Sequence, residues 1–118
     1  MSHMNSLAAS FLPTTNSYDR IKPNCWAGVY AVWGYDNKEA AVRVPSLADG
    51  STNRFEIKPV DACMNPHLAL SLIIAAGIEG LTSKKKLRAV CNENPFNVQG
   101  TEPLMLPKSL QDSLTQLE

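Results

Sequence analysis

Asn65-Pro66 opens the stretch that most constrains what this chain can fold into. Asparagine is a favoured helix N-cap, because its short side chain accepts from the free amides of the first turn. Proline suits the first helical position, where its missing N–H is no loss. From Leu68 to Ile78 the sequence then stays apolar except for one serine and one glycine. The spacing predicts a helix from Pro66 to about Gly80 whose apolar residues run nearly all the way round. Such a helix is buried rather than laid on a surface, and this one is too short to span a bilayer. Other elements must therefore cover it.

The rest of the chain supplies few of them. Asn5 to Leu12 reads as a short helix that stops before Pro13, since the residue preceding a proline is pushed out of helical geometry. Thr14 to Ser17 is a polar loop, and the path stays irregular to Asn24. Val29 to Gly34 reads as a strand, Tyr35 to Lys38 as a turn, and Ala40 to Val44 as the returning strand, stopped by Pro45. Together they predict a β-hairpin. Arg54 to Lys58 is a third strand: Phe55 and Ile57 face one way, and Arg54, Glu56 and Lys58 the other. Ser83 to Lys86 is a basic, solvated connection, and Cys91 to Pro107, rich in Asn and Pro, is loop. A final helix over Ser109 to Leu117 sets Leu110, Leu114 and Leu117 on one side, with Ser109 as its N-cap. No internal repeat is present.

The class is α+β, an antiparallel sheet piece with packed helices. These elements are too few to cover the central helix, so the chain is expected either to oligomerise or to be a slice of something larger, and both ends read as truncated. Residues 1–4, Met-Ser-His-Met, read like a cloning scar, which leaves 5–118 as the segment of interest.

Acidic and basic residues balance at 11 each, so no field steers the chain to nucleic acid or to an anionic membrane. Its three cysteines, Cys25, Cys63 and Cys91, are widely spaced and form no C-x-x-C pair. That argues against a zinc ribbon and a disulfide framework, and for reduced thiols in the cytoplasm. No P-loop, G-x-G-x-x-G, H-E-x-x-H or nucleophile elbow occurs.

What remains is charge. Arg20 follows the polar loop, Lys38 and Arg43 lie on the hairpin, and Arg54, Glu56 and Lys58 alternate along the third strand. Cations converging on a sheet face bind phosphates or carboxylates, and arginine does so bidentately. A carboxylate among them suits Mg²⁺, which bridges to substrate phosphates. The bland reading is a solvated strand face with weak cross-strand pairs. His67 is more naturally a capping residue than a ligand, since no His or Cys stands at ligand spacing from it.

Three ordered motifs decide between these readings. The run "PTTNSYDR", then "VYAVWGYDNKEAAVRVP", then "NRFEIKPVDACMNPHLALSLIIAAGIEGL" resembles the C-terminal half of the glutamine synthetase catalytic domain over roughly Leu7 to Leu81. The tail "LMLPKSLQDSLTQLE" is similar to the helix that follows in that family. The wording is closest to the plant and fungal FluG or nodulin-related branch. The resemblance implies a ligase fragment using ATP and Mg²⁺ (or Mn²⁺) to join glutamate to ammonia or an amine, in a homo-oligomeric parent. The alternative is a non-catalytic protein of the same fold that acts by assembly.

By resemblance, Arg20 contacts the glutamate carboxylate, and Arg43, Arg54 and Lys38 face the nucleotide phosphates. Glu56 binds a metal ion, and Lys58 stands where an arginine holds both the transferring phosphoryl and the glutamate side chain. Arg43 and Lys58 are thus the expected catalytic pair. Lys38 and Lys58 replace family arginines, and Trp26 falls near a family glutamate. Further metal ligands are expected upstream of Asn5 and part of the site from a neighbouring subunit, so this polypeptide alone is not expected to make glutamine.

Overall fold

A computed structural model describes residues 1–97 and 104–117. Its elements are a short helix α1 (Ala8–Phe11), a 3-10 helix (Thr15–Arg20), strands β1 (Trp33–Tyr35), β2 (Val42–Val44) and β3 (Glu56–Ile57), helix α2 (Pro66–Thr82), a 3-10 turn (Pro95–Asn97) and helix α3 (Leu110–Leu117). The α+β class stands. Of the expected Cys91–Pro107 loop, residues 98–103 lie outside the described residues.

The sheet differs from the expected antiparallel piece. Its order is β1-β2-β3, and β2 pairs antiparallel with β3, but β1 pairs parallel with β2, Trp33 against Val42 and Tyr35 against Val44. The predicted hairpin is therefore not formed. The connection Asp36–Ala41 leaves β1 through a left-handed Asp36 (φ 49°). Asn37 is then buried, and its amide donates to the carbonyls of Cys91 and Glu93 at 2.7 and 2.8 Å. Parallel pairs ordinarily need long crossovers. Strands of 3 residues are short enough for this connection to return the chain to its starting end. The front of the expected strand, Val29 to Ala31, instead pairs with the chain around Met105: Ala31 N–H donates to Leu104 O at 2.8 Å, and Leu106 N–H to Val29 O at 2.7 Å.

The core gathers Phe11, Leu12, Tyr18, Ile21, Ala31, Ala41 and Leu106. Met4, set aside with the first residues, is buried among them. Tyr18 O–H donates to Ser113 Oγ at 2.6 Å and ties the first 3-10 helix to α3. The α3 N-terminus is capped as expected, with Asp112 N–H donating to Ser109 Oγ.

Helix α2 starts as predicted: Asn65 Oδ1 accepts from the amides of His67 and Leu68 at 3.0 and 3.3 Å. Its end is a Schellman motif, with Lys85 N–H donating to Gly80 O and Lys84 N–H to Leu81 O. Lysine, not glycine, occupies the left-handed position, at φ 50°. The basic run is thus a helix stop, and Lys85 pairs with Glu79 at 2.8 Å rather than pointing freely into water. The expectation that α2 is buried is not met within this chain. Only Ala69 is buried, while Leu68, Leu70, Ile74, Ile78 and Leu81 are between 51% and 82% exposed. One side of α2 packs through Ile73 on the core, and the other has no cover among the described residues.

Candidate active site

Strands β2 and β3 position the first part of the site. Arg43 and Glu56 lie directly opposite in the antiparallel register, so their side chains leave the same face. Arg43 Nη2 donates to Glu56 Oε1 at 2.9 Å, with side-chain exposures of 25% and 38%. The Arg43 Nε is buried and without a hydrogen-bond partner among the described residues. The neighbours in sequence take the other face. Val42, Phe55 and Ile57 line an apolar cleft of about 560 Å³ under α2, together with Phe11 and Ile73. The cleft therefore lies behind the charged row, and the chemistry is read from the row itself.

Lys58 N–H donates to Ala41 O, which keeps the chain paired with β2 just past β3. The Lys58 ammonium donates to the Lys38 carbonyl. Burial pushes it below the ordinary lysine value; the Arg43 charge acts in the same direction, and Glu39 and Glu56 oppose it. Lys38 extends its own ammonium over the Trp26 ring, 5.3 Å from the centroid. Arg20 is exposed and donates to Val60 O at 2.9 Å, close behind Lys58 in sequence. Beside it the Asp61 carboxyl is held below its usual range by the Cys63 amide, with smaller help from Ser17 and the Arg20 charge.

The structure thus links Arg43, Glu56, Lys58 and Lys38 through direct contacts or near charges and ties Arg20 to the exit of β3. Arg54 is exposed and forms no hydrogen bond or ion pair with the described residues. His67 is exposed and serves the helix start through its backbone. Trp26 joins the site through Lys38. Sequence reasoning noted it only as a missing carboxylate, since hydropathy gives no sign that a loop indole meets a lysine from the next connection.

Glu56 has the chemistry to hold a hard cation, with one oxygen on Arg43. Among the described residues no three His, Cys, Asp or Glu side chains converge to bind a metal, so Glu56 can contribute one ligand. The cysteines are free, and burial raises the Cys91 thiol. No helix among the described residues is long and apolar enough to cross a membrane.

Residues 1–118 match the family model of the glutamine synthetase catalytic domain. The type-1 glutamine synthetase 1 of Dictyostelium discoideum is 36% identical over 122 residues, covering 100% of this chain and 24% of that protein. A gamma-glutamylpolyamine synthetase of Streptomyces coelicolor is 41% identical over 90 residues, covering 74% of this chain and 19% of that protein. Among solved structures, ligand-free GmaS superposes with a TM-score of 0.81 at 26% identity, over 98% of this chain and 26% of that one. A glutamine synthase homologue gives 0.72 at 34% identity, again over 98% and 26%. The chain spans about a quarter of these relatives, 24% of the Dictyostelium protein and 26% of either structure. On the family model and these relatives together, the chain belongs to the glutamine synthetase catalytic-domain family.

Proposed function

We propose that this chain carries the phosphate-facing wall of an ATP-dependent carbon–nitrogen ligase that joins glutamate to ammonia or an amine. The observation that carries the reading is the Arg43–Glu56 pair on one face of the sheet, with the Lys58 ammonium near it and held by the carbonyl of Lys38 in the β1–β2 connection. In this reading Arg43, Arg54 and Lys38 take nucleotide phosphates. Arg20 takes the glutamate carboxylate, and Lys58 sits between glutamate and the transferring phosphoryl. Cations fixed around the phosphates neutralise charge as the phosphoryl moves from ATP to the γ-carboxylate, and positioning supplies most of the rest. Ammonia or an amine then displaces phosphate. Mg²⁺ or Mn²⁺, when bound at Glu56, adds charge neutralisation at the phosphate oxygens.

Lys58 and Lys38 stand where the family has arginines, and their compact ammonium groups make point-charge contacts to phosphate rather than the bidentate fork of an arginine. The synthetases among the relatives, acting by name on glutamine or polyamine products, support the reaction class and leave the acceptor open. A homo-oligomeric, cytoplasmic parent belongs to the same proposal, with the remaining metal ligands supplied outside this chain.

Calorimetric titration of Mg²⁺-ADP into the chain tests the reading. Metal-dependent binding that Glu56→Ala abolishes is expected. A folded chain that binds Mg²⁺-ADP equally well with and without Glu56 would overturn the assignment.

A further inference from the structure

Asn37 is a polar side chain taken into the interior. It is 8% exposed, although Asp36 and Lys38 on either side of it are exposed. A side-chain amide carries two donor hydrogens and an acceptor oxygen, and here all of them are in use. Nδ2 donates to the carbonyls of Cys91 and Glu93, and Oδ1 accepts from Glu39 N–H at 2.9 Å. Among the described residues, no other side chain of the Asp36–Ala41 connection hydrogen-bonds to the 91–93 segment.

The two ends of that connection are fixed by other means. Asp36 N–H donates to Val44 O at 3.2 Å, Asp36 Oδ1 accepts from Ser46 N–H at 3.0 Å, and Ala40 and Ala41 are fully buried. The segment that Asn37 grips is itself seated on β1. Cys91 N–H donates to Trp33 O at 2.9 Å, and Asn92 Oδ1 accepts from Tyr35 N–H at 2.8 Å. At Gly34 an added Cβ would collide with the Cys91 carbonyl and stand 3.1 Å from Asn37 Cβ. Asn37 thus ties the middle of the connection to a support outside β2 and β3. The next residue passes that support to the charged face: the Lys38 carbonyl accepts from the Lys58 ammonium.

From these contacts we propose that Asn37 is a positioning residue for the phosphate-facing wall: its two N–H bonds to the 91–93 segment fix the Lys38 carbonyl, and that carbonyl fixes the Lys58 ammonium. What the ammonium receives rests on the ligase reading above; its placement by Asn37 rests on the bonds alone. Backing of this kind keeps a binding group in its productive place, and its loss weakens binding although every group that meets the ligand is still present. The Cys91–Glu93 segment, 54 residues beyond Asn37 at its start, becomes part of the support of the site.

The test uses the ¹³C,¹⁵N-labelled chain and its Asn37→Asp, Asn37→Ala and Asn5→Ala variants. Asn37→Asp keeps the oxygen that Glu39 N–H needs and loses both donors. Asn5 is a second buried asparagine, which donates to Met105 O at 2.7 Å, and its removal shows what losing a buried amide does by itself. Wild type should give nuclear Overhauser contacts from the Lys58 ε-methylene to the Lys38 and Glu39 amides. Both Asn37 variants should lose them and keep the cross-strand contacts between Arg43 and Glu56; Asn5→Ala should keep both sets. Lys58 contacts that are absent in wild type, that survive both Asn37 changes, or that Asn5→Ala also removes overturn the assignment. So does failure of both Asn37 variants to fold, which would make the residue structural. By calorimetry, Mg²⁺-ADP binding should weaken about tenfold in Asn37→Asp. The same change should add little in a Lys58→Met background, where the ammonium it places is gone. Equal Mg²⁺-ADP binding by wild type and Asn37→Asp sinks the role of Asn37 alone. A wild type blind to Mg²⁺-ADP sinks the ligase reading, and the Lys58 contacts still decide whether Asn37 places the ammonium.

Discussion

Removing Glu56 should destabilise the chain as well as its metal site, by an amount set by how the Arg43 pair is buried. An exposed ion pair contributes about 0–1 kcal/mol, and stripping one partner from a fully buried pair costs about 3–5 kcal/mol. Side-chain exposures of 25% and 38% put this pair between those limits. The Arg43 Nε is already without a partner among the described residues. Glu56→Ala would leave the guanidinium with one hydrogen bond fewer on the same half-buried face. Interpolating, the cost is about 1.5 kcal/mol. With a urea m-value of roughly 1.5 kcal/mol/M for a domain of this size, the midpoint falls by about 1 M. Arg43→Met removes the charge together with its orphaned donor and so costs less, about 0.5 kcal/mol. The double variant should resemble Arg43→Met alone, giving a coupling of about 1.5 kcal/mol in a double-mutant cycle. Urea unfolding followed by circular dichroism reads all four proteins. An unchanged midpoint for Glu56→Ala, or additive single effects, would mean the pair is solvated and the face is not preorganised.

Three further outcomes follow from the same structure. Lys84→Gly removes a non-glycine residue from the left-handed C′ position of α2 at φ 50°, and a gain of about 0.5–1 kcal/mol in urea is expected; a loss would refute the strain. The Lys85 ammonium and His3 hold the Glu79 carboxyl down to about 2 from an ordinary 4.5. That stabilisation is fully present above the ordinary value and is lost as pH falls through the folded one, so thermal melts of wild type and Glu79→Gln should differ above about pH 4.5 and converge towards pH 2. Replacing Leu70, Ile74 and Ile78 of α2 together by lysine should lower binding of a hydrophobic dye while moving the melting temperature little, since these residues are 56–59% exposed; a collapse of the fold would show that the face is packed.

The legible parts of the sequence were those where one residue type serves one local purpose. The Asn65-Pro66 start, the Ser109 cap and the alternation of Phe55 and Ile57 against Glu56 all rest on nearest-neighbour stereochemistry. The opposing pair Arg43 and Glu56 was legible as a constellation but not as a contact, because cross-strand register depends on where both strands begin. The direction of β1 was not legible. A turn signal at Tyr35–Lys38 fits a hairpin as well as a restart, and burial of Asn37 under the Cys91 and Glu93 carbonyls decides it from more than fifty residues away. The all-round apolarity of α2 led to the expectation of a buried helix, but periodicity cannot say what covers it, and one side stays exposed among the described residues. Trp26 escaped for a similar reason: its partner Lys38 comes from another loop, and only its left-handed backbone marks it.

The central claim is that the charged face of β2 and β3, and not the apolar cleft behind it, receives the nucleotide. Amide shift mapping of the ¹⁵N-labelled chain during a Mg²⁺-ADP titration tests this directly. The account predicts saturable shifts confined to Lys38–Arg43 and Arg54–Lys58, with the Arg43 Nε–H signal moving most. Shifts centred on Phe11, Ile73 and Leu81, which line the cleft, would contradict it.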